Sequence, residues 1–177
     1  MKVTKIILAL LFLPLGAFAD APIEPIETVK VSSEDDFEHR STFDGCWSLQ
    51  KNTDYILTQD VKLTRCLHIG ATIRLDLNGY RLSRNLDNLF VTEKALIFRV
   101  DRTLIIEDSN ESENNRGIIA GDFNINTGIP AILVNDNGSA FLRSGIINVT
   151  EENLAIDLHG SLRIDGGSVY SYGTGIT

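Results

Sequence analysis

The segment Gly138–Gly145, GSAFLRSG, lies without a gap over Gly160–Gly167, GSLRIDGG, at a shift of 22 residues. Each copy carries a short alternating run, Ala140-Phe141-Leu142 or Leu162-Arg163-Ile164, followed by small turn residues. Upstream of each copy, and once more at the end of the chain, a small residue precedes an isoleucine: Ala131-Ile132, Ala155-Ile156 and Gly175-Ile176. The step from Ile156 to Ile176 is 20 residues. Thr72–Asp76 (TIRLD) and Thr103–Glu107 (TLIIE) fit the same template, set further apart by polar insertions of which Ser109–Arg116 is the clearest.

Self-similarity at a period near 20 predicts a solenoid. No sustained helical period follows residue 45, so the repeating unit is built from strands. The predicted fold is all-β, a parallel β-helix of about five coils of 20–22 residues, in residues 45–177. One coil cannot cover its own apolar row, and stacking at about 4.8 Å does so. This register predicts inner ladders of Ile73, Leu104, Ala140 and Leu162, and of Leu75, Ile106, Leu142 and Ile164. The same register puts Arg74, Ile105, Phe141 and Arg163 in one outward row, and Asp76, Glu107, Arg143 and Asp165 in the next, with Arg143 between acids of neighbouring coils. That stripe has two readings. One is a sugar-binding face, with Phe141 as a platform and the Arg and Asp residues as hydrogen-bonding groups. The other is a solvated face whose charges pair across coils.

The residues before the repeats differ in kind. Lys2 and Lys5, the apolar run Ile6–Leu13 and the small-x-small site Ala17-Phe18-Ala19 predict a signal peptide over 1–19, cleaved between Ala19 and Asp20. With it removed, no membrane span is expected. Residues 20–44 are acidic and carry Pro22 and Pro25; they are expected to form a linker and a cap over the first coil, with a short helix around Glu34 to Arg40 capped by Ser32 or Ser33. The mature part holds 14 basic and 24 acidic residues, which argues against nucleic acid as a partner.

Cys46 and Cys66 are 20 residues apart, one coil, and are expected to pair as a disulfide in an exported chain. His39, His68 and His159 stand apart from one another in sequence and read as surface or packing residues; no metal or cofactor site is expected. Glu107-Asp108 and Glu151-Glu152 are adjacent, so each pair splits to opposite faces of a strand rather than flanking one glycosidic bond. Asn110, Asn137 and Asn148 open glycosylation sequons expected in turns or loops. Tyr170 and Tyr172 are placed either in an aromatic patch or against a further coil. Gly175-Ile176-Thr177 begins a further copy, so the solenoid is expected to be open or truncated at that end, with end-to-end self-association as one outcome.

Tyr55–Asp60 (YILTQD), Cys66–Ile69 (CLHI) and above all Leu75–Gly79 (LDLNG) with Tyr80-Arg81-Leu82 resemble the opening coils of right-handed β-helix proteins of the pectate-lyase-like superfamily. The resemblance covers residues 46–177. That superfamily holds polysaccharide lyases, glycoside hydrolases and epimerases beside adhesins and passive surface proteins, so it implies two functions. One is non-catalytic binding of a polysaccharide or surface glycan. The other is a carbohydrate-active enzyme, for which no catalytic set is recognisable in the sequence.

Overall fold

The computed structural model describes residues 26–38, 40–42, 45–85, 96–110, 116–122, 130–149, 154–171 and 176–177. The expected signal peptide with Ala19 and Asp20, the start of the acidic lead-in, His39, Glu151-Glu152, Tyr172 and the middle of the Ser109–Arg116 insertion lie outside the described residues.

A lead-in strand β1 (Glu27–Val31), a 3-10 turn (Glu34–Asp36) and β2 (Arg40–Ser41) precede five coils of three strands each. They are β3 (Trp47–Leu49), β4 (Thr53–Leu57) and β5 (Val61–Leu63); β6 (Leu67–Ile69), β7 (Thr72–Asp76) and β8 (Arg81–Asn85); β9 (Phe98–Val100), β10 (Thr103–Glu107) and β11 (Ile118–Asp122). The last two coils are β12 (Ile132–Val134), β13 (Ser139–Leu142) and β14 (Ile146–Val149), then β15 (Ile156–Leu158), β16 (Ser161–Ile164) and β17 (Ser168–Ser171). The first, second and third strands of the coils stack into sheets B, A and C. Every pairing between coils is parallel. The chain is a parallel β-helix, the predicted fold.

Coil lengths depart from the expected 20–22 residues. Trp47 pairs with Leu67, Leu67 with Phe98, Phe98 with Ile132 and Ile132 with Ile156, steps of 20, 31, 34 and 24 residues. The extra length enters at corners, so the strand register survives it. Leu104 pairs with Ile73 and Ala140, Ala140 with Leu162, Ile106 with Leu75 and Leu142, and Leu142 with Ile164. These are the predicted inner ladders, and Ile73, Leu75, Leu104, Ile106 and Leu142 are all but fully buried. Ile164, on the final coil, is 45% exposed.

The corner between sheets A and C is held by buried carboxylates. Asp108, 5% exposed, accepts the Gly79 and Gly117 N–H groups at 2.6 Å each. Asp76 accepts the Asn78 and Ser109 N–H groups at 2.9 Å each. Gly145 and Gly167 turn here with φ of +85° and +79°, where a side chain is strained. A Cβ on Gly167 would also sit 2.5 Å from the Gly145 carbonyl oxygen, so this corner admits only glycine.

Among the described residues, inward rows carry a charged side chain as well as the polar Thr53. Arg84 pairs with Leu63 and Gly121, in a row that faces inward, and is 6% exposed. Its Nη1 donates to the Leu96 carbonyl, Gly121 leaves room beside it, and its Nε has no partner among the described residues. Burial pushes its pKa down to about 10, against an opposing pull from Glu34.

The 3-10 turn Glu34–Asp36 is shorter than the helix expected around Glu34 to Arg40. Asp36 turns back to accept the Ser32 and Ser33 N–H groups at 2.7 and 2.9 Å, which holds its carboxyl below the usual range. The backbone of Phe37 is then extended (ψ 158°), and its ring enters the core against Tyr55, centroids 5.0 Å apart. Glu34 accepts the Trp47 indole N–H at 2.9 Å and the Thr64 N–H at 2.9 Å, tying cap to first coil. The strand β1 extends sheet A past β4.

The predicted disulfide joins Cys46 to Cys66, Cα atoms 4.6 Å apart. No helix among the described residues is long and apolar enough to cross a membrane.

Two stability outcomes follow. Leu75→Ala removes a fully buried rung and costs about 2–5 kcal/mol in urea unfolding, whereas Ile105→Ala, on the outer row, costs under about 1 kcal/mol. Replacing both cysteines by serine lowers unfolding free energy by about 3 kcal/mol on the loop-entropy estimate.

Candidate functional site

Side chains alternate along a strand, so the central residue of each sheet B strand faces outward. Parallel pairing stacks these residues as Ser48, His68, Arg99, Leu133 and Asp157. The residue just after each strand forms a second row at the B-to-A corner: Gln50, Gly70, Asp101, Asn135 and His159. Their N–H groups donate to the coil before, Gly70 to Leu49, Asp101 to Ile69, Asn135 to Val100 and His159 to Val134. Between these rows runs a groove of about 740 Å³ that touches all five coils. Arg102, Asp136 and Asn137 complete its wall.

The first three coils connect through one directed chain of hydrogen bonds. Gln50 Nε2 donates to Ser48 Oγ. Ser48 Oγ lies 3.2 Å from His68 Nδ1, and His68 Nε2 lies 2.6 Å from Asp101 Oδ2. An ionised carboxylate only accepts, so Nε2 carries the imidazole proton and Nδ1 is left to accept from the serine hydroxyl. The second oxygen of Asp101 accepts from the Asn135 amide and has Arg99 Nε at 3.7 Å. Burial raises the Asp101 carboxyl, but the Asn135 amide, His68 and Arg99 outweigh it, and the net pKa lies below the usual carboxylate range. On the last coil His159 Nε2 is 3.3 Å from Asp157 Oδ1. Arg102 is exposed and makes no ion pair among the described residues. The disulfide sits two residues ahead of Ser48 and of His68 on the same two strands, so it clamps the first rung of the groove.

The stripe read from the sequence lies on sheet A, away from this groove. Arg74, Ile105, Phe141 and Arg163 do form one row, and Glu107 pairs with Asp76. Their charges are engaged with one another. Arg74 reaches Asp54 at 2.5 Å and Glu107 at 3.6 Å, Arg143 reaches Glu107 at 3.4 Å, and Arg163 holds Asp165 within its own coil at 2.7 Å. The hydrogen bond that Arg74 donates to Asp54 raises the Arg74 pKa further. Asp76 is 9% exposed and spent on backbone N–H groups, and Phe141 is half-buried between Ile105 and Arg163. Of the sequons, Asn137 sits on the groove wall, and Asn148 lies within β14 rather than in a turn.

The histidines read as separate in sequence are therefore not alike: His68 is built into a network. One signal was present, because Ser48 and His68 share the 20-residue spacing of the two cysteines. Asp101 was hidden, since the long second coil sets it 33 residues from His68. Among the described residues no group of three His, Cys, Asp or Glu converges as metal ligands.

Acidification tests the Asp101 interactions. A carboxyl with a lowered folded pKa stabilises the fold above its unfolded value, about 3.9, and that contribution is lost as pH falls through the folded value. Asp101→Asn is therefore less stable than the natural chain near neutral pH, and the gap in urea midpoint closes at pH below about 3.9.

The chain matches no family model, and no match is found among the curated proteins or the solved structures.

Proposed function

We propose that this protein is an exported β-helix that binds a polysaccharide or surface glycan along the groove at the B-to-A corner. The observation that carries the proposal is a polar trough that crosses all five coils and is lined by amides, imidazoles and guanidinium groups. Its rungs repeat at about the 4.8 Å coil spacing, which suits an extended ligand lying along the axis. Hydroxyl groups find donors and acceptors in Asn135, Asn137, Asp136 and His159. Arg102 carries an uncompensated charge suited to a uronate carboxylate. The resemblance of the early coils to the pectate-lyase-like superfamily points the same way. The sheet A stripe is the secondary face, with Phe141 as the apolar element and its charges already paired.

A second reading, an enzyme of that superfamily acting on glycosidic bonds, is favoured by Asp101 and Asp136 sharing one groove with Arg99 and Arg102. Unsaturated products or new reducing ends from a panel of polysaccharides would establish it.

For the binding reading, titration calorimetry against uronate and neutral polysaccharides is the test. Arg102→Ala weakens binding of a uronate polymer about tenfold, equivalent to about 1.4 kcal/mol, and shifts stability by less than about 0.5 kcal/mol. Arg163→Ala leaves affinity unchanged. The proposal fails if no polysaccharide binds, or if Arg163→Ala and not Arg102→Ala removes binding.

A further inference from the structure

We infer that Ser48, His68 and Asp101 form an acyl-transfer relay that hydrolyses O-acyl esters on the ligand held in the groove. The ester class rests on the glycan reading above; the relay itself rests on the geometry alone.

Three successive coils supply the three groups. Ser48 stands on β3, His68 on β6, and Asp101 directly after β9. The order of donors is that of a nucleophile, its base and the base's orienting carboxylate: Oγ–H to Nδ1 at 3.2 Å, then Nε2–H to Oδ2 at 2.6 Å. A cross-coil tie needs no such order; the sheet A charges tie their coils with plain ion pairs. Asp101 is itself held by Asn135 and Arg99, which fixes its orientation toward the ring.

Ser48 is 3% exposed, and Gln50 Nε2 is bonded to its hydroxyl. Gln50 is an exposed residue, and its side chain fills the space that a Cβ at Gly70 would need, 2.2 Å from that position. On the relay proposed, substrate access requires the Gln50 side chain to release the Ser48 hydroxyl, and Gln50→Ala removes that cover.

In the first step Ser48 Oγ bonds to the ester carbonyl carbon as its proton passes to His68 Nδ1. Collapse of that adduct breaks the bond to the sugar oxygen, which leaves with the proton from Nδ1. Water then attacks the acyl-serine, His68 Nδ1 takes its proton and returns it to Ser48 Oγ, and the carboxylic acid departs. Asp101 is a positioning residue, holding the tautomer and facing the imidazolium that forms transiently.

The test is labelling of the folded protein with a fluorophosphonate probe, mapped by mass spectrometry, together with release of acetate from p-nitrophenyl acetate. The expected result is an adduct on Ser48 in the natural chain or in Gln50→Ala, faster in the latter by about tenfold or more, and absent from Ser48→Ala and His68→Ala. Asp101→Asn slows labelling by about 100-fold or more and changes its pH profile, which a purely structural role would not do. The relay is overturned if the natural chain and Gln50→Ala, both folded by circular dichroism, leave Ser48 unmodified. Polysaccharide binding by Ser48→Ala is measured alongside. Binding retained with no adduct in either the natural chain or Gln50→Ala overturns the relay while the groove reading stands; acetate release with no polysaccharide bound supports the relay and overturns the groove reading.

Discussion

Parallel pairing between coils is the constraint on which everything else in this molecule depends. A single three-strand coil has an apolar inner row and open backbone groups on both edges. Both needs are met only when the next coil lies in register upon it. Leu104 between Ile73 and Ala140, and Ile106 between Leu75 and Leu142, are the products of that register. The outer rows follow without further choice, because inward and outward positions alternate along each strand. A groove that collects residues from five coils is thus a by-product of core packing. Connections between strands absorb what strands cannot, as the 31- and 34-residue coils show, and at the A-to-C corner Asp76 and Asp108 bind backbone N–H groups.

The two outer faces differ in how their charges are used. On sheet A the Asp54, Arg74, Glu107 and Arg143 side chains form an alternating ladder, so each positive group faces an acid of the next coil. Partly exposed pairs of this kind add little stability, but they neutralise one another along the middle of the face. In the groove, Asp101 faces Arg99 and bonds to His68 and Asn135, and Asp157 lies beside His159. Arg102 makes no ion pair among the described residues, so its guanidinium stands on the concave polar wall beside Asp136.

Sheet A was legible in the sequence because its repeats are the best preserved: TIRLD, TLIIE, SAFL and SLRI share pattern and turn chemistry. The inner ladders and the outward stripe follow from that alignment. Sheet B was less legible, since its strands are three residues long and its outer row runs Ser, His, Arg, Leu, Asp with no common type. Polar insertions also broke the count, and they separated His68 from Asp101 in any reading at fixed period. Arg84 was invisible for a different reason: a charged residue flanked by Ser83 and Asn85 gives no sign that it faces inward, and only pairing with Leu63 and Gly121 turns it there. The helix expected at Glu34 to Arg40 was cut short by Asp36 binding the N–H groups ahead of it.

The bond between Cys46 and Cys66 has a reach beyond the edge it fastens. It joins the same two strands that carry Ser48 and His68. In a thiol-rich environment such bonds do not persist, so the reduced chain would lack the covalent tie between its first two coils. Oxidation of Cys46 and Cys66 would then fix the rung that carries Ser48 and His68, which ties the order of that corner to the redox state of its surroundings rather than to the age of the molecule.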